Sequence, residues 1–483
     1  MFCSFLSRLL LFFCLLAGSA AIQADSLNLP RLGDSTSGTI SLQQEYRLGQ
    51  YWLRAFRQQA RLAEDPLLYT YLHHLIQRLA FYSPLEEKYF DLVVVDNKSF
   101  NAFAVPGNVI GINTGLFLHA ETEDQLASVV AHELAHLSQR HYARSLERQK
   151  RQNVASLAGM LGSLLIIAAG GGGEAGIAAI SATQAAAISN QLKYSRVHEQ
   201  EADRIGIRTL AAAGMNPMAA ADMFQHMLVA TRYRSDLRDF EFLLTHPLAE
   251  GRVADAINIA QQYPKQLDQD SFIFHLMKAR IFLHHSSRAS QAAEHFRQQE
   301  ERAKYPNAAR YGLALSLLKM QQSDEAEAII DALYRESPQQ TAFQIAKIDL
   351  LTQQGKAEQA ISMARQHLSL SPGNYALSMH ASQLFVHNNH KDEAVSTMRR
   401  LIDRKWPDTP DVWYQLAEIE GLAGNIAEVH LARAEYFIRI GAFDAAIRHL
   451  NLARPLLSEN QRAISRIELR LNEVEQLKRN NPF

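Results

Sequence analysis

The stretch SVVAHELAHLSQRH, residues Ser128–His141, predicts a helix that carries a metal site. His132 and His136 are four residues apart and share one helix face, so both imidazoles can bind one metal ion. Neutral imidazoles suit zinc, and Glu133 beside them can take a proton from an attacking water. The apolar flanks and the absence of Pro and Gly favour a buried helix. This H-E-x-x-H order indicates a metallopeptidase; the alternative is a core helix that carries two histidines by chance.

Length and charge limit the classes of protein to which the chain can belong. At 483 residues it is too long for one typical domain, and two or three are expected. The formal net charge of −1 gives no indication of nucleic acid or of an acidic partner. The fractions of apolar and charged residues are those of an ordinary globular protein.

The N-terminus has the pattern of a secretory signal peptide at residues 1–24. One basic residue, Arg8, precedes the apolar run Leu9–Leu16, which is too short to span a bilayer, and small residues follow. An uncleaved membrane anchor is the alternative. Both cysteines, Cys3 and Cys14, lie inside this segment. The mature chain would contain no cysteine, which excludes disulfides, thiolate metal ligands and a cysteine nucleophile.

Two helices and one small sheet are predicted ahead of the metal-binding helix. Helical spacing begins near Leu42, and Asp65-Pro66 opens a second helix with Pro66 in a favourable first-turn position. Short runs typical of strands are Tyr89–Asp96, Asn101–Ala104 and Val109–Asn113. An edge strand of such a sheet could hold an extended substrate chain by backbone hydrogen bonds.

A nearly uncharged segment follows the metal-binding helix, at about 150–192. Gln152–Gly173 and Ala175–Gln191 carry no formal charge, and four glycines end the first stretch. Because Ala, Gly, Ser and Gln dominate, a transmembrane hairpin is the weaker interpretation. We expect a helical lid over the active-site cleft, hinged at the glycines, and peripheral membrane contact stays open as an alternative.

The stretch Tyr194–Leu210, YSRVHEQEADRIGIRTL, predicts a second helix that contributes to the metal site. A catalytic zinc with two histidines needs a third protein ligand and an open position. Glu199 can supply that ligand, and Asp203, four residues later on the same face, can accept the outer N–H of a zinc-binding histidine. A solvated acidic helix face is the alternative, and His198 is a weaker candidate ligand.

A third stretch, FLLTHPLAEGR at Phe242–Arg252, adds two further candidates. A single histidine before proline is more often structural than a ligand. Nevertheless, His246 could approach the metal, and Arg252 could stabilise charge at the reaction centre. His141, at the end of the first stretch, is interpreted as structural.

From about Ser271 to the C-terminus the sequence repeats. Pro338 and Pro372 are 34 residues apart, as are Ala360 and Ala394. This period, with small residues in the second helix of each pair, is typical of tetratricopeptide repeats. We expect roughly six helix pairs and a concave surface that binds peptides or partner proteins; a plain helical bundle is the alternative.

Together these motifs resemble the HtpX-like zinc metallopeptidase family, in exported members with a C-terminal tetratricopeptide array. The stretches that carry the resemblance are Asn101–Leu116, Ala131–His141, Ser195–Gly206 and His246–Arg252. The predicted fold is an α+β zincin-like peptidase domain at 25–262, mostly helical with one small sheet, followed by an all-α repeat solenoid at 263–483. One departure is Asn108, where the family commonly has glycine, so the turn geometry there is open.

The resemblance also implies roles for the candidate residues. Glu199 would be the third zinc ligand and Asp203 the supporting acid, and His246 would approach the zinc and hold the protease latent. The predicted ligands of one Zn²⁺ are His132, His136, Glu199 and His246. The predicted catalytic residues are Glu133, His246, Asp203 and Arg252, with Glu133 as general base.

Relatives of this kind act in the periplasm on unfolded or misassembled outer-membrane β-barrel proteins, notably the lipopolysaccharide-export barrel. They dock on the β-barrel assembly machinery through the repeat domain. The resemblance therefore implies a periplasmic protease and chaperone, with no nucleic-acid partner. One alternative is a non-proteolytic assembly factor with a structural zinc, although a closed zinc site does not need the base Glu133. A weaker alternative is a membrane-embedded peptidase that uses the uncharged segments.

Overall fold

The computed structural model of the chain describes residues 40–148, 161–162, 195–233, 240–264, 271–404 and 407–482. The predicted signal peptide and nearly all of the predicted lid lie outside the described residues, and so does the alternative of a transmembrane hairpin. Within the described part of the chain, no helix combines the length and the apolar character needed to cross a membrane.

The two helices predicted near the N-terminus are confirmed. Helix α1 spans Leu42–Gln59, and helix α2 spans Pro66–Tyr82. The carboxylate of Asp65 caps α2 by accepting hydrogen bonds from two backbone N–H groups of its first turn. Helix α1 ends before Leu62, because the chain there becomes extended and forms an isolated antiparallel bridge with Val95 at the edge of the sheet.

All three predicted strands are present and form one sheet. They are β1 (Asp91–Val95), β2 (Ala102–Val105) and β3 (Val109–Asn113). The order is β1-β3-β2; β1 runs parallel to β3, and β2 runs antiparallel to it. In the turn before β3, Asn108 has a φ of 62° and its side chain donates to the Tyr89 carbonyl at 3.1 Å. Asparagine therefore serves at this left-handed position without glycine.

Seven further helices complete the peptidase part of the described chain. They are α3 (Gly115–His119), α4 (Glu123–Ser138), α5 (His141–Arg148), α6 (Arg196–Ala212), α7 (Met218–Tyr233), α8 (Phe242–Thr245) and α9 (Glu250–Ala260). Helix α4 is the predicted metal-binding helix, and its residues 123–137 are all buried. Helix α6 packs closely on it at Gly206, where an added Cβ would lie only 3.1 Å from the His132 backbone nitrogen. The absence of a side chain at Gly206 allows this close approach.

The repeat region forms twelve described helices in six antiparallel pairs. They are α10 (Phe272–His285), α11 (Ala289–Glu300), α12 (Pro306–Lys319), α13 (Ser323–Glu336), α14 (Thr341–Gln353), α15 (Ala357–Leu370), α16 (Tyr375–His387), α17 (Lys391–Asp403), α18 (Pro410–Ala423), α19 (Ile426–Arg439), α20 (Phe443–Leu456) and α21 (Gln461–Arg479). The predicted fold class, a mostly helical domain with one small sheet followed by a helical solenoid, is confirmed.

The peptidase and repeat helices share one hydrophobic core. A single cluster of buried side chains runs from Leu68 in α2 to Leu350 in α14, across the predicted boundary at 262 and 263. Tyr69 of α2 also packs edge-on against Tyr375 of α16, with ring centroids 5.8 Å apart. Part of the inner face of the solenoid is therefore covered by the chain's own helix α2. The remaining space between the two parts is a cavity of about 1760 Å³.

Candidate metal centre and active site

Helix α4 presents two histidines on one buried face. His132 and His136 are one turn apart, and their Nε2 atoms lie 3.0 Å from each other. Both side chains are almost completely inaccessible to solvent. The i and i+4 spacing that the sequence predicted therefore aims two ring nitrogens at one point.

Two residues from other elements reach the same point. Glu199 comes from the first turn of α6, and His246 ends the short helix α8. The Glu199 Oε1 atom lies 3.5 Å from His136 Nε2 and 3.1 Å from His246 Nδ1. His246 Nδ1 is also 3.3 Å from His132 Nε2, and the ring of Phe242 stacks on the His246 imidazole at a centroid distance of 4.4 Å. The two sequence-distant candidates thus join the two histidines.

The four side chains fit a metal ion. Bonds of about 2.0–2.1 Å to a tetrahedral zinc place neighbouring ligand atoms about 3.3 Å apart. The described nitrogen–oxygen and nitrogen–nitrogen separations in this group are 3.0–3.6 Å. Each facing pair of ring nitrogens can share at most one proton, so several lone pairs converge in a buried space. A cation is the occupant that such a donor set favours.

Glu133 lies beside this group without belonging to it. Its carboxylate is buried, with Oε1 3.4 Å from His246 Nε2, and it accepts a hydrogen bond from the backbone of Ala104 in edge strand β2. Burial raises the pKa of this carboxyl above 4.5, although the neighbouring His246 and His132 oppose the shift. A carboxylate with a raised pKa is a stronger base, which suits proton transfer near neutral pH.

Asp203 and Arg252 form a charged layer behind the candidate ligands. Asp203 Oδ1 lies 3.0 Å from His132 Nδ1, an arrangement that leaves Nε2 of that ring for the metal. Arg252 binds Asp203 through two hydrogen bonds of 2.8 Å, and its Nη1 lies 2.9 Å from Glu199 Oε2. Burial alone would raise the pKa of Asp203, but the hydrogen bonds from Arg252 and His132 lower it. Arg252 therefore helps to keep the buried Asp203 carboxylate ionised.

The electrostatics of the centre favour positive charge. Burial would lower the pKa of His132, yet hydrogen bonds to Asp203 and Glu199 outweigh burial and raise it to about 9. For the Glu199 carboxyl, burial alone would raise the pKa, but the surrounding histidines hold the pKa well below 4.5. Two buried carboxylates thus stabilise a cation at the point where the imidazoles meet.

Comparison with known proteins supports the same chemistry. Residues 66–260 match the sequence profile of peptidase family M48, and residues 311–375 and 351–419 match profiles of the tetratricopeptide repeat. A putative beta-barrel assembly-enhancing protease of Vibrio cholerae is 34% identical over 475 residues, which cover 97% of each chain. The chain belongs to peptidase family M48.

Other relatives differ in how much of the chain they cover. The beta-barrel assembly-enhancing protease of Escherichia coli is 32% identical over 457 residues, 94% of this chain and 93% of that protein. The mitochondrial metalloendopeptidase OMA1 of Bos taurus is 26% identical over 206 residues, 41% of this chain and 38% of that protein. Membership of M48 confirms the prediction of a metallopeptidase and implies a metal in the site.

The candidate centre brings together the predicted ligands and the predicted catalytic residues, and two further polar side chains, His141 and Glu201, lie beside it. His141 Nδ1 lies 2.9 Å from Nδ1 of His136, and His141 Nε2 lies 3.3 Å from Glu201. The sequence predicts only a structural role for His141. The weaker candidate His198 is not in the metal cluster and instead stacks on His141, with ring centroids 4.2 Å apart.

A second group of metal-type side chains lies at the junction with the repeats. Asp96, after β1, has His284 and His285 of α10 nearby, with donor atoms within 4.8 Å of one another. Asp96 already forms an ion pair with Arg61 at 2.8 Å, and His285 Nε2 lies 2.8 Å from the Thr114 hydroxyl. We therefore interpret this group as a polar contact between the M48 part and the first repeat helix.

Proposed function

We propose that the chain is a periplasmic zinc endopeptidase and chaperone. It would degrade unfolded or misassembled outer-membrane β-barrel proteins and assist the assembly of others. The observation that carries the peptidase proposal is the buried carboxylate of Glu133 beside a metal-type cluster and under an edge strand. The likeness over nearly the whole chain to proteins named beta-barrel assembly-enhancing proteases supports the substrate class.

In this proposal His132, His136 and Glu199 hold one Zn²⁺. When bound, zinc supplies Lewis-acid polarisation of the scissile carbonyl and lowers the pKa of water. Glu133 takes the proton of the attacking water and later passes it to the leaving amine. Since the Ala104 N–H holds the Glu133 carboxylate from β2, an extended peptide paired with that edge strand would pass beside the base.

Asp203 and Arg252 act in this proposal through the ligands. Asp203 fixes the tautomer and orientation of His132, and Arg252 orients both Asp203 and Glu199. The 2.8–2.9 Å contacts of Arg252 with these two carboxylates support a positioning role rather than contact with the reacting atoms.

The two parts of the chain would divide the work. We place the peptidase in residues 25–262 and the repeat domain in 263–483, with export by the predicted signal peptide. The repeat domain would bind clients or the β-barrel assembly machinery. Because α2 covers part of the inner face, such partners would use the remaining cavity or the outer faces of the solenoid.

One observation favours a second candidate function, a non-proteolytic assembly factor with a structural zinc. Structural zinc sites are closed by four protein ligands, and His246 supplies a fourth donor here. The neighbouring base Glu133 favours the peptidase instead, with His246 as a lock that leaves when the enzyme is active.

The proposal is tested with the purified mature chain and a urea-unfolded outer-membrane β-barrel protein as substrate. We expect one zinc per chain and cleavage of the substrate. A chelator should abolish cleavage, and added zinc should restore it. A chain that binds zinc but never cleaves would favour the assembly factor, and a chain without metal would contradict both candidates.

His246→Ala is expected to raise the rate of proteolysis about tenfold without loss of zinc. A fourth ligand that biases the enzyme toward a closed state by about 1.4 kcal/mol leaves only about a tenth of it active. The other three ligands stay in place, so zinc content should not change. Initial cleavage rates and metal content are measured together, with His226→Ala as a histidine control outside the site. High zinc content without a gain in rate would show that His246 does not lock the enzyme.

A further inference from the structure

The outer nitrogen of His136 has a partner from a different helix. His141 begins α5, and its Nδ1 lies 2.9 Å from His136 Nδ1. The other nitrogen of His141 lies 3.3 Å from Glu201 Oε2, on α6. Glu201 also binds Arg144 at 2.9 Å. A chain of polar contacts therefore runs from the candidate ligand to a charged pair at the surface.

The directions of these hydrogen bonds follow from the number of ring protons. If His136 binds a metal through Nε2, its single proton is on Nδ1, which then donates to Nδ1 of His141. His141 must accept there, so its own proton is on Nε2 and is donated to Glu201. By accepting this proton, the Glu201 carboxylate fixes the His141 tautomer whose Nδ1 can accept from His136.

The surroundings of His141 leave little freedom for its ring. Its side chain is completely buried, and it stacks on His198 with ring planes only 10° apart. The turn that places it includes Arg140, whose φ of 50° is unusual for a residue with a side chain. The Arg140 guanidinium is held in turn by Glu45 and the Ile40 carbonyl. The position of the His141 ring is therefore set by the fold around it.

We propose that His141, anchored by Glu201, is a positioning residue for the metal ligand His136. It would do for His136 what Asp203 does for His132, with a neutral acceptor in place of a carboxylate. The inference rests on the proposed function, since it assumes that His136 binds the metal. Partners of this kind typically change metal affinity by about 10- to 100-fold.

The experiment measures the affinity of the metal-free, full-length mature chain for zinc by competition with a chromophoric chelator. His141→Phe keeps a stacking ring but has no acceptor, and we expect about 10- to 100-fold weaker binding. His141→Gln can still accept from His136 and donate to Glu201, and its affinity should stay within about threefold. His198→Phe is the matched control, a buried ring in the same stack that is outside the metal cluster.

Two outcomes would overturn the inference. One is unchanged affinity in His141→Phe; the other is equal weakening in His141→Phe and His198→Phe, which would indicate local packing alone. If His141→Phe does not fold, Glu201→Ala decides, because its side chain is partly exposed and its loss should still weaken zinc binding about threefold or more. The zinc titration contains no substrate and does not depend on cleavage. A wild-type chain that binds zinc but does not cleave would therefore contradict the peptidase proposal and leave this inference intact.

Discussion

Glu133→Gln is expected to lower the cleavage rate of an unfolded β-barrel protein by about 10²- to 10⁴-fold while zinc content and fold are retained. Glutamine has the shape of glutamate and can still accept the Ala104 hydrogen bond, but it cannot take a proton from water. Glu133 is outside the metal cluster, so zinc binding should not change. Initial rates, metal content and circular dichroism of the two proteins are compared.

The matched control for this variant is Glu123→Gln. Glu123 is on the same helix, is also buried, and accepts a hydrogen bond from the Tyr71 hydroxyl at 2.8 Å, which an amide oxygen can still accept. Glu123 is ten residues from Glu133, and the cleavage rate of Glu123→Gln should remain near that of the wild type. A wild-type cleavage rate in Glu133→Gln would show that Glu133 is not the general base. Retained chaperone activity in the same variant would show that the two proposed roles are separable.

Local patterns explain why most of the centre could be predicted from the sequence. His132 and His136 share a face through helical spacing alone, and so do Glu199 and Asp203. The 34-residue period likewise predicts helix pairs without any knowledge of tertiary contacts. The strands of the small sheet follow from β-branched runs separated by a Pro-Gly-Asn turn.

Contacts that depend on tertiary geometry could not be predicted in this way. His141 follows the end of α4, and only the left-handed turn at Arg140 returns its ring to His136. No periodicity in the sequence indicates that turn. The same holds for Arg252, whose three contacts with Glu199 and Asp203 depend on how α9 packs against α6.

The relation between the two parts of the chain could not be predicted from the sequence either. The repeat period predicts an inner surface but not its occupant. Lys278 of α10 donates to the Ala120 carbonyl at 2.6 Å, and Arg280 of the same helix binds Asp65, the cap of α2, at 2.7 Å. The first repeat helix also contributes buried side chains to the same hydrophobic cluster as the peptidase helices, so it is held to them by both polar and apolar contacts.

Arg252→Met is expected to destabilise the metal-free protein by about 3–5 kcal/mol at neutral pH. Methionine fills much of the same space but removes the guanidinium that pairs with both Glu199 and Asp203, and it leaves the buried His132 imidazole as their remaining cationic partner. The stability of Arg252→Lys should fall between that of the wild type and that of Arg252→Met, because lysine retains the charge but not the bidentate geometry. Urea unfolding of the metal-free chains gives the comparison. The control is Arg297→Met, which removes an exposed ion pair with Glu325 and should cost less than about 1 kcal/mol.

The pH dependence of the stability lost in Arg252→Met tests whether that loss is electrostatic. Glu199 and Asp203 have pKa values lowered by folding, so the stability they contribute is present above their unfolded pKa values of about 4 and is lost as pH falls through the folded ones. Without Arg252 the Asp203 carboxylate can protonate at higher pH, so the deficit of Arg252→Met should be largest near pH 7 and shrink below about pH 4. A deficit independent of pH would mean that Arg252 stabilises the fold by packing, for example on the Phe224 ring 5.0 Å away, rather than by its charge.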